Sequence, residues 1–158
     1  EYGISGTNYF LTSMADKIFI SGSTGIDLKG LNVEISFYRA LLDTLSIVPE
    51  VFRVNYDGKS YKTAGDSFLN REMSDEMREN YGQLLDDLND VFIKDIALAR
   101  GWFNDDKTPD IEYAQTIVNE GPYWQPEIAL ERGLIDGIFY PDEFTTYVKD
   151  SIIKKNKI

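Results

Sequence analysis

The chain has 158 residues, of which 42% are hydrophobic, so it is long enough to bury the core of one domain. Its 27 acidic and 16 basic residues give a net charge of -11, which repels phosphate backbones and argues against a nucleic acid as partner. It has no cysteine and no histidine, which excludes disulfides, cysteine nucleophiles, zinc fingers and histidine-dependent triads. Proton transfer near neutral pH must then use lysine, a carboxylate or tyrosine.

The beginning of the chain predicts one strand and one loop. Residues 1–8 lead directly into an apolar stretch with no preceding strand, as expected of a chain cut from a longer protein. Residues 16–21 predict a short buried strand. Residues 22–30 predict a glycine-rich loop that contains Asp27.

A helix and a second strand are predicted next. Apolar residues recur at helical spacing over residues 32–47, and Pro49 ends that helix. Residues 51–55 alternate in polarity and are rich in β-branched and aromatic side chains, which favours a strand. Asp57-Gly58 then marks a turn.

The longest predicted element is an amphipathic helix that begins at Ser74. The Ser74 hydroxyl can accept the free amides of a first turn that also carries two acidic residues. Apolar residues continue at intervals of three or four to about Ala99, and Gly101 stops the helix.

The remainder of the chain predicts helices and one further strand. In chain order these are a helix from Pro109-Asp110 to near Gly121, a helix over 127–132 closed by Gly133, a strand over 135–140, a helix from Pro141-Asp142, and a solvated basic tail over 154–158. Strands that alternate with helices predict an α/β fold. No apolar run approaches the roughly 20 residues that span a bilayer, so the chain itself is expected to be soluble.

Lys62 is the candidate catalytic residue. Surface charge is the ordinary role of the ten lysines, but Lys62 lies in Ser60-Tyr61-Lys62-Thr63-Ala64, between a predicted strand and a short helix through Phe68. A lysine that acts as a general base must be uncharged near neutral pH, which removal from water and a following helix N-terminus both favour.

Other polar groups have an ordinary structural interpretation. Asp27 can orient a catalytic group, although capping of local amides is the commoner role of such a residue. The adjacent pairs Asp86-Asp87 and Asp105-Asp106 diverge rather than converge, so solvation is expected.

Five segments together resemble the protease IV (signal peptide peptidase A) family in order and spacing. They are Tyr9-Phe10-Leu11-Thr12-Ser13-Met14-Ala15-Asp16-Lys17-Ile18, Phe52-Arg53-Val54, Tyr61-Lys62-Thr63-Ala64, Arg71-Glu72-Met73-Ser74 and Ala129-Leu130-Glu131-Arg132-Gly133-Leu134-Ile135-Asp136. The resemblance implies a crotonase/ClpP-like fold, here a fragment that lacks its first strands, and a single partial peptidase domain over residues 1–158. It also implies that Lys62 deprotonates a serine that attacks the scissile carbonyl, without cofactor or metal.

The chain departs from the family at the nucleophile. The serine of the family's Ala-Ser-Gly-Gly segment aligns with Gly6, and Ser5 is one position away. A Gly-Ser-[Ile/Leu]-Gly element that helps to hold the lysine is not kept at residues 24–27. Both departures resemble the amino-terminal half of the long, two-repeat form, in which the second repeat supplies the serine and the oxyanion hole.

The resemblance therefore implies a Ser-Lys endopeptidase that degrades remnants of cleaved signal peptides. This chain contributes the base, and the fragment alone is expected to be inactive. The implied partners are apolar peptides, the serine-bearing repeat and further protomers of a homo-oligomer. The implied location is the outer face of the cytoplasmic membrane, attached through parts outside this chain. Two alternatives stay open, a non-catalytic scaffold repeat and Ser5-Lys62 catalysis within this chain.

Overall fold

The computed structural model describes residues 3–54 and 60–153, and the chain divides into two compact units. Of the described residues, unit 1 comprises 3–30 and 90–153, and unit 2 comprises 31–54 and 60–89. Helices combine with short parallel strands, in agreement with the predicted α/β class. The predicted turn at Asp57-Gly58 and the tail over 154–158 lie outside the described residues.

The strands of unit 1 form two parallel pairs. Strand β1 (Gly3–Ser5) pairs with β3 (Gly25–Asp27), and β2 (Phe19–Ile20) pairs with β4 (Gly137–Ile138). Ile26 of β3 also exchanges two backbone hydrogen bonds with Tyr123, at 2.7 and 2.8 Å. The strands predicted at 16–21 and 135–140 are thus confirmed in place but are shorter.

Helices surround these strands. They are α1 (Gly6–Ser13), the second half of α4 (Asp75–Arg100), α5 (Ile111–Glu120), α6 (Pro126–Glu131) and α7 (Pro141–Val148), followed by a π-helical turn (Lys149–Ile153). The predicted helix ends are confirmed where a local signal exists. Gly101 and Gly133 follow α4 and α6 with φ of 70° and 74°, in the left-handed region that favours glycine, and the Asp110 carboxylate caps α5 by accepting from Tyr113 N at 2.9 Å. Among the described residues, no helix is both long and apolar enough to cross a bilayer.

The core of unit 1 is apolar and is tied together at two polar points. It is built from Tyr9, Ile18, Ile20, Ile26, Leu28, Phe92, Ile93, Ile96, Ala97, Ala114, Ile117, Val118, Tyr123, Ala129, Leu134 and Ile135. The fully buried Tyr9 donates its hydroxyl to the Leu134 carbonyl at 2.8 Å. The Asp136 carboxylate accepts from Ile18 N at 2.8 Å and from the Arg100 guanidinium at 3.1 Å, which links α4 to the start of β2.

Two predictions near the start of the chain were wrong. A strand, β1, does precede the apolar helix α1, and residues 25–27 form β3 instead of continuing the predicted glycine-rich loop. The glycine at position 25 serves close packing, because a Cβ there would lie 2.8 Å from the Trp124 ring. Ile26 is fully buried, so this backbone finds its hydrogen-bond partners in strands that are distant in sequence.

Unit 2 consists of short elements: α2 (Arg39–Thr44), a 3-10 helix (Thr63–Gly65), α3 (Asp66–Leu69) and the first turns of α4. The helix predicted over 32–47 is confirmed only over α2. Tyr38 N donates to the Ser67 carbonyl at 2.7 Å, and none of residues 31–38 is buried, so little apolar burial would stabilise a longer helix.

The strand predicted over 51–55 was wrong for residues 51–54, and Asn55 lies outside the described residues. Phe52 is 94% exposed and Val54 is 81% exposed, so their alternation marks no buried face. A strand needs a neighbour for its backbone groups, and the described residues provide none for this segment.

We expect Tyr9→Phe to lower the free energy of unfolding by about 1–3 kcal/mol, because it leaves the buried Leu134 carbonyl without its donor. Burial raises the pKa of the Tyr9 phenol above its ordinary value of 10.0. The folded state therefore favours the neutral phenol, so this contribution is complete below pH 10 and is lost as the pH rises beyond it. Urea denaturation at pH 7 and at pH 10–11 measures both effects.

Tyr147→Phe is the matched control, since the Tyr147 ring packs against Phe139 at 5.2 Å and is only half-buried. Equal losses of stability in the two variants at pH 7 would contradict the assigned role of the Tyr9 hydroxyl.

Candidate active site

Lys62 lies at the start of a helical segment in unit 2. Its backbone, with φ of -85° and ψ of 76°, immediately precedes the 3-10 helix, which continues into α3. The prediction of a short helix that begins just after Lys62 and runs through Phe68 is confirmed. The free amides of its first turn therefore lie beside the Lys62 backbone.

The Lys62 side chain is exposed to solvent. Tyr61 and Ala64 are exposed as well, while Thr63 is buried. The aromatic and small neighbours that the sequence suggested as a shield thus leave the amine open. Because an uncharged lysine at neutral pH requires removal from water, a catalytic Lys62 needs its shielding from outside the described residues of this chain.

The backbone before Lys62 is anchored to α4. The Tyr61 carbonyl accepts from Asn80 Nδ2 at 3.2 Å, and the Tyr61 hydroxyl donates to Glu79 Oε2 at 2.9 Å. Both partners lie in the second turn of α4. This attachment fixes the peptide that leads into Lys62.

The backbone after Lys62 is anchored through Asp66, which is only 1% exposed. Asp66 Oδ1 pairs with Arg53 Nη1 at 2.5 Å, and Asp66 Oδ2 accepts from Ser74 Oγ at 2.5 Å. Ser74 Oγ in turn accepts from Met77 N at 3.3 Å, as predicted for the residue that caps α4. One carboxylate thus joins three separate segments of unit 2.

Ser5 and Gly6 lie at the start of α1 in unit 1. The Ser5 hydroxyl accepts from Asn8 N at 3.3 Å and so caps the helix. Gly6 occupies the position that the resemblance assigns to the nucleophile. A Cβ built there would meet its nearest neighbour, the Asp27 carbonyl oxygen, at 3.5 Å, which is an ordinary contact distance.

The other acidic candidates form local contacts or face solvent. Asp27 Oδ1 lies 2.7 Å from Lys29 Nζ, in an ion pair without hydrogen-bond geometry. Asp86 and Asp87 are exposed on α4, in agreement with the predicted solvation. Hydrogen bonds from the Thr108 hydroxyl and amide to Asp106 lower the pKa of that carboxyl, which closes a local turn.

One cavity among the described residues lies in unit 1. It has a volume of about 530 Å³ and is lined mainly by apolar side chains, including Ile18, Ile20, Phe139 and Phe144. Apart from Lys17, its lining has no charged group, so it offers no acid or base pair. Within the ranges 3–54 and 60–153, no cluster of three or more carboxylates is arranged to hold a metal ion.

Sequence reasoning missed Asp66. A single aspartate near the start of a short helix is ordinarily a solvated or capping residue, and burial of such a residue is rare. The signal that could have found it is indirect, since Arg53 and Ser74 both lie in segments that carry the family resemblance.

Comparison with known proteins agrees with that resemblance. Residues 1–152 match peptidase family S49. The chain is 32% identical over 150 residues to the chloroplastic serine protease SPPA of Arabidopsis thaliana. This alignment covers 94% of this chain and 20% of that protein. It is 29% identical over 130 residues to Protease 4 of Haemophilus influenzae, covering 82% of this chain and 20% of that protein. The chain thus spans about one fifth of the length of these relatives.

We expect Gly6→Ala to change the free energy of unfolding by less than about 1 kcal/mol, because a Cβ fits and alanine favours the first turn of a helix. The contrasting variant is Gly25→Ala, where a Cβ would lie within 3.0 Å of three atoms of Tyr123 and Trp124. Overpacking of this kind costs about 1–3 kcal/mol. Urea denaturation compares the two, and a large loss in Gly6→Ala would show that the fold itself demands glycine at the nucleophile position.

Proposed function

Because the chain belongs to peptidase family S49, we propose that it forms the base-bearing part of a serine endopeptidase of the protease IV kind. Lys62 is the general base, and the nucleophilic serine lies on a second repeat outside this chain. The observation that carries the proposal is the state of Lys62, an exposed amine on a backbone anchored at Tyr61 and Asp66. Such a side chain is presented outward, where a second repeat can close over it.

In such a site, the Lys62 amine would serve as base and acid in both steps of peptide hydrolysis. Neutral Lys62 Nζ takes the serine hydroxyl proton as the serine oxygen attacks the peptide carbonyl carbon. The ammonium then gives this proton to the leaving amine nitrogen as the peptide bond breaks, which leaves an acyl ester on the serine. The same amine next deprotonates a water that attacks the ester, and the serine leaves with its proton restored by Lys62.

The surroundings of Ser5 favour a nucleophile outside this chain. The Ser5 hydroxyl is engaged as the cap of α1, and the neighbouring position is glycine. A hydroxyl one residue away on a bending backbone is displaced from the position of attack. A misplacement of about 1 Å is enough to lower the rate on the order of a hundredfold.

The remaining features of the proposal rest on the family. The complete protein adopts a crotonase/ClpP-like fold, takes extended apolar peptides such as signal-peptide remnants, and assembles into a homo-oligomer at the outer face of the cytoplasmic membrane. Unit 2 supports an assembly, because it exposes Val48, Phe52 and Val54 at 77%, 94% and 81%. Large apolar side chains this exposed within one short stretch of sequence favour an interface, where such side chains become buried.

A second candidate function is a scaffold repeat that shapes the oligomer and its substrate channel, with Lys62 retained for structure. The same exposed apolar side chains of unit 2 favour it, since they indicate contact with another subunit whether or not Lys62 reacts.

We expect Lys62→Ala in the complete protein to lower kcat for an apolar peptide substrate by at least about a hundredfold, the lower bound for loss of a general base. Lys62→Arg should be equally inactive, because a guanidinium keeps its proton. Lys94→Ala, which removes another exposed lysine from α4, is the matched control and should retain full activity.

Sedimentation of the same variants separates the two candidate functions. Full turnover by Lys62→Ala together with a changed oligomer size would favour the scaffold and defeat the peptidase role of Lys62. Loss of turnover with unchanged size supports the proposal.

A serine-directed fluorophosphonate tests the place of the nucleophile. We expect the label in the complete protein on a serine outside residues 1–158, and no label on Ser5, because the Ser5 hydroxyl caps α1. Mass spectrometry of the labelled peptides identifies the site. A label on Ser5 that disappears in Lys62→Ala would instead establish catalysis within this chain.

A further inference from the structure

The buried carboxylate of Asp66 stands apart from the other acidic residues described in unit 2. It is 1% exposed, whereas the Asp43 side chain, which also pairs with arginines, is 34% exposed. A carboxylate removed from water must recover its lost hydration from protein donors. Arg53 and Ser74 are those donors, one on each oxygen of the carboxylate.

The partners of Asp66 come from both sides of the Lys62 segment in sequence. Arg53 precedes Asp66 by 13 positions, and Ser74 follows Asp66 by 8. Val51 packs against the 3-10 helix itself, since a Cβ on Gly65 would lie 2.7 Å from Val51 Cγ1. The backbone over residues 63–66 is therefore held against residues 51–53 and the first turn of α4.

The opposite end of the segment is held independently by Asn80 and Glu79 through Tyr61. Lys62 thus lies between two anchors, while its own side chain is exposed to solvent. Surface ion pairs add little to stability, and a buried pair recovers its desolvation penalty only with good geometry. Two directional bonds to one buried carboxylate do, however, fix the position of the backbone that carries this carboxylate.

We propose that Asp66, through Arg53 and Ser74, is a positioning residue that fixes where Lys62 presents its amine to the reacting serine. The proposal rests on the proposed function, in which Lys62 is the base. Asp66 touches neither substrate nor nucleophile in this role and acts only through Lys62. A displacement of the amine by about 1 Å is enough to cost on the order of a hundredfold in rate.

The first test is Asp66→Asn in the complete protein. The amide keeps the shape and one acceptor oxygen but loses the charge that pairs with Arg53, which at 28% exposure can take water instead. We expect kcat to fall roughly ten- to a hundredfold and KM to stay within about twofold, because transition-state geometry is lost and substrate contacts are not. Asp43→Asn is the matched control, as it removes a carboxylate that pairs with Arg39 and Arg71 in the same unit. Equal losses of kcat in the two variants, or none in Asp66→Asn, overturn the proposal.

A second pair of variants decides the matter if Asp66→Asn does not fold. Ser74→Ala removes the hydroxyl that donates to Asp66, and Ser74→Thr restores a hydroxyl. We expect a lower kcat in the alanine variant and recovery in the threonine variant. Asp110→Ala removes a helix cap in unit 1 and controls for the loss of capping alone. A fall of kcat in Asp110→Ala that matches Ser74→Ala assigns the effect to stability and overturns the proposal.

A double-mutant cycle separates positioning from general damage. In the Lys62→Ala background, Asp66→Asn should leave the residual turnover unchanged, since Asp66 acts only through the missing amine. A further fall of residual turnover contradicts the proposal. The cycle also distinguishes the two levels of inference. Full activity of Lys62→Ala defeats the proposed function, whereas an inactive Lys62→Ala beside a fully active Asp66→Asn defeats the positioning role alone.

Discussion

The Asp66 carboxylate lies at a position that is 1% exposed, and a carboxylate so buried is tolerated only where hydrogen bonds and an opposite charge replace water. Arg53 and Ser74 meet that requirement. Met77 is the single buried apolar side chain among residues 31–54 and 60–89. The described part of unit 2 therefore holds its conformation through directional polar contacts, because apolar burial there is slight.

Unit 1, in contrast, is held together mainly by apolar burial. Its apolar core joins α1, α4, α5 and α6 to the strands, and polar links such as Arg100 to Asp136 act where that core reaches the surface. Hydrophobic contact is non-directional and tolerates small shifts, whereas a carboxylate held by two donors does not. The candidate base thus lies in the unit whose contacts are directional. That is where a side chain that must meet a reacting group within a fraction of an ångström is best supported.

The elements that the sequence predicted well are those whose signals are local. Helix α4 (Asp75–Arg100) has a cap at Ser74, an apolar stripe and a following glycine, and each of these acts within a few residues. Strand β3 and Asp66 could not be predicted in this way. The partners of β3 lie more than 20 residues away in sequence, in β1 and at Tyr123, and the burial of Asp66 exists only once Arg53 and Ser74 have come together. The apolar alternation of residues 51–54 misled for the same reason, because alternation predicts a strand only if a neighbour pairs with it.

Lys62 is one of ten lysines, and its side chain is exposed like those of other surface lysines in the described part of the chain. What distinguishes it is the backbone, anchored before and after. Anchoring and desolvation are separable requirements for a catalytic lysine, and the described residues meet the first alone. In the proposed composite site, a second repeat that covers this segment would meet the second requirement by removing water from the amine. The proposed site is therefore complete only on assembly, because the described residues of this chain leave the amine exposed.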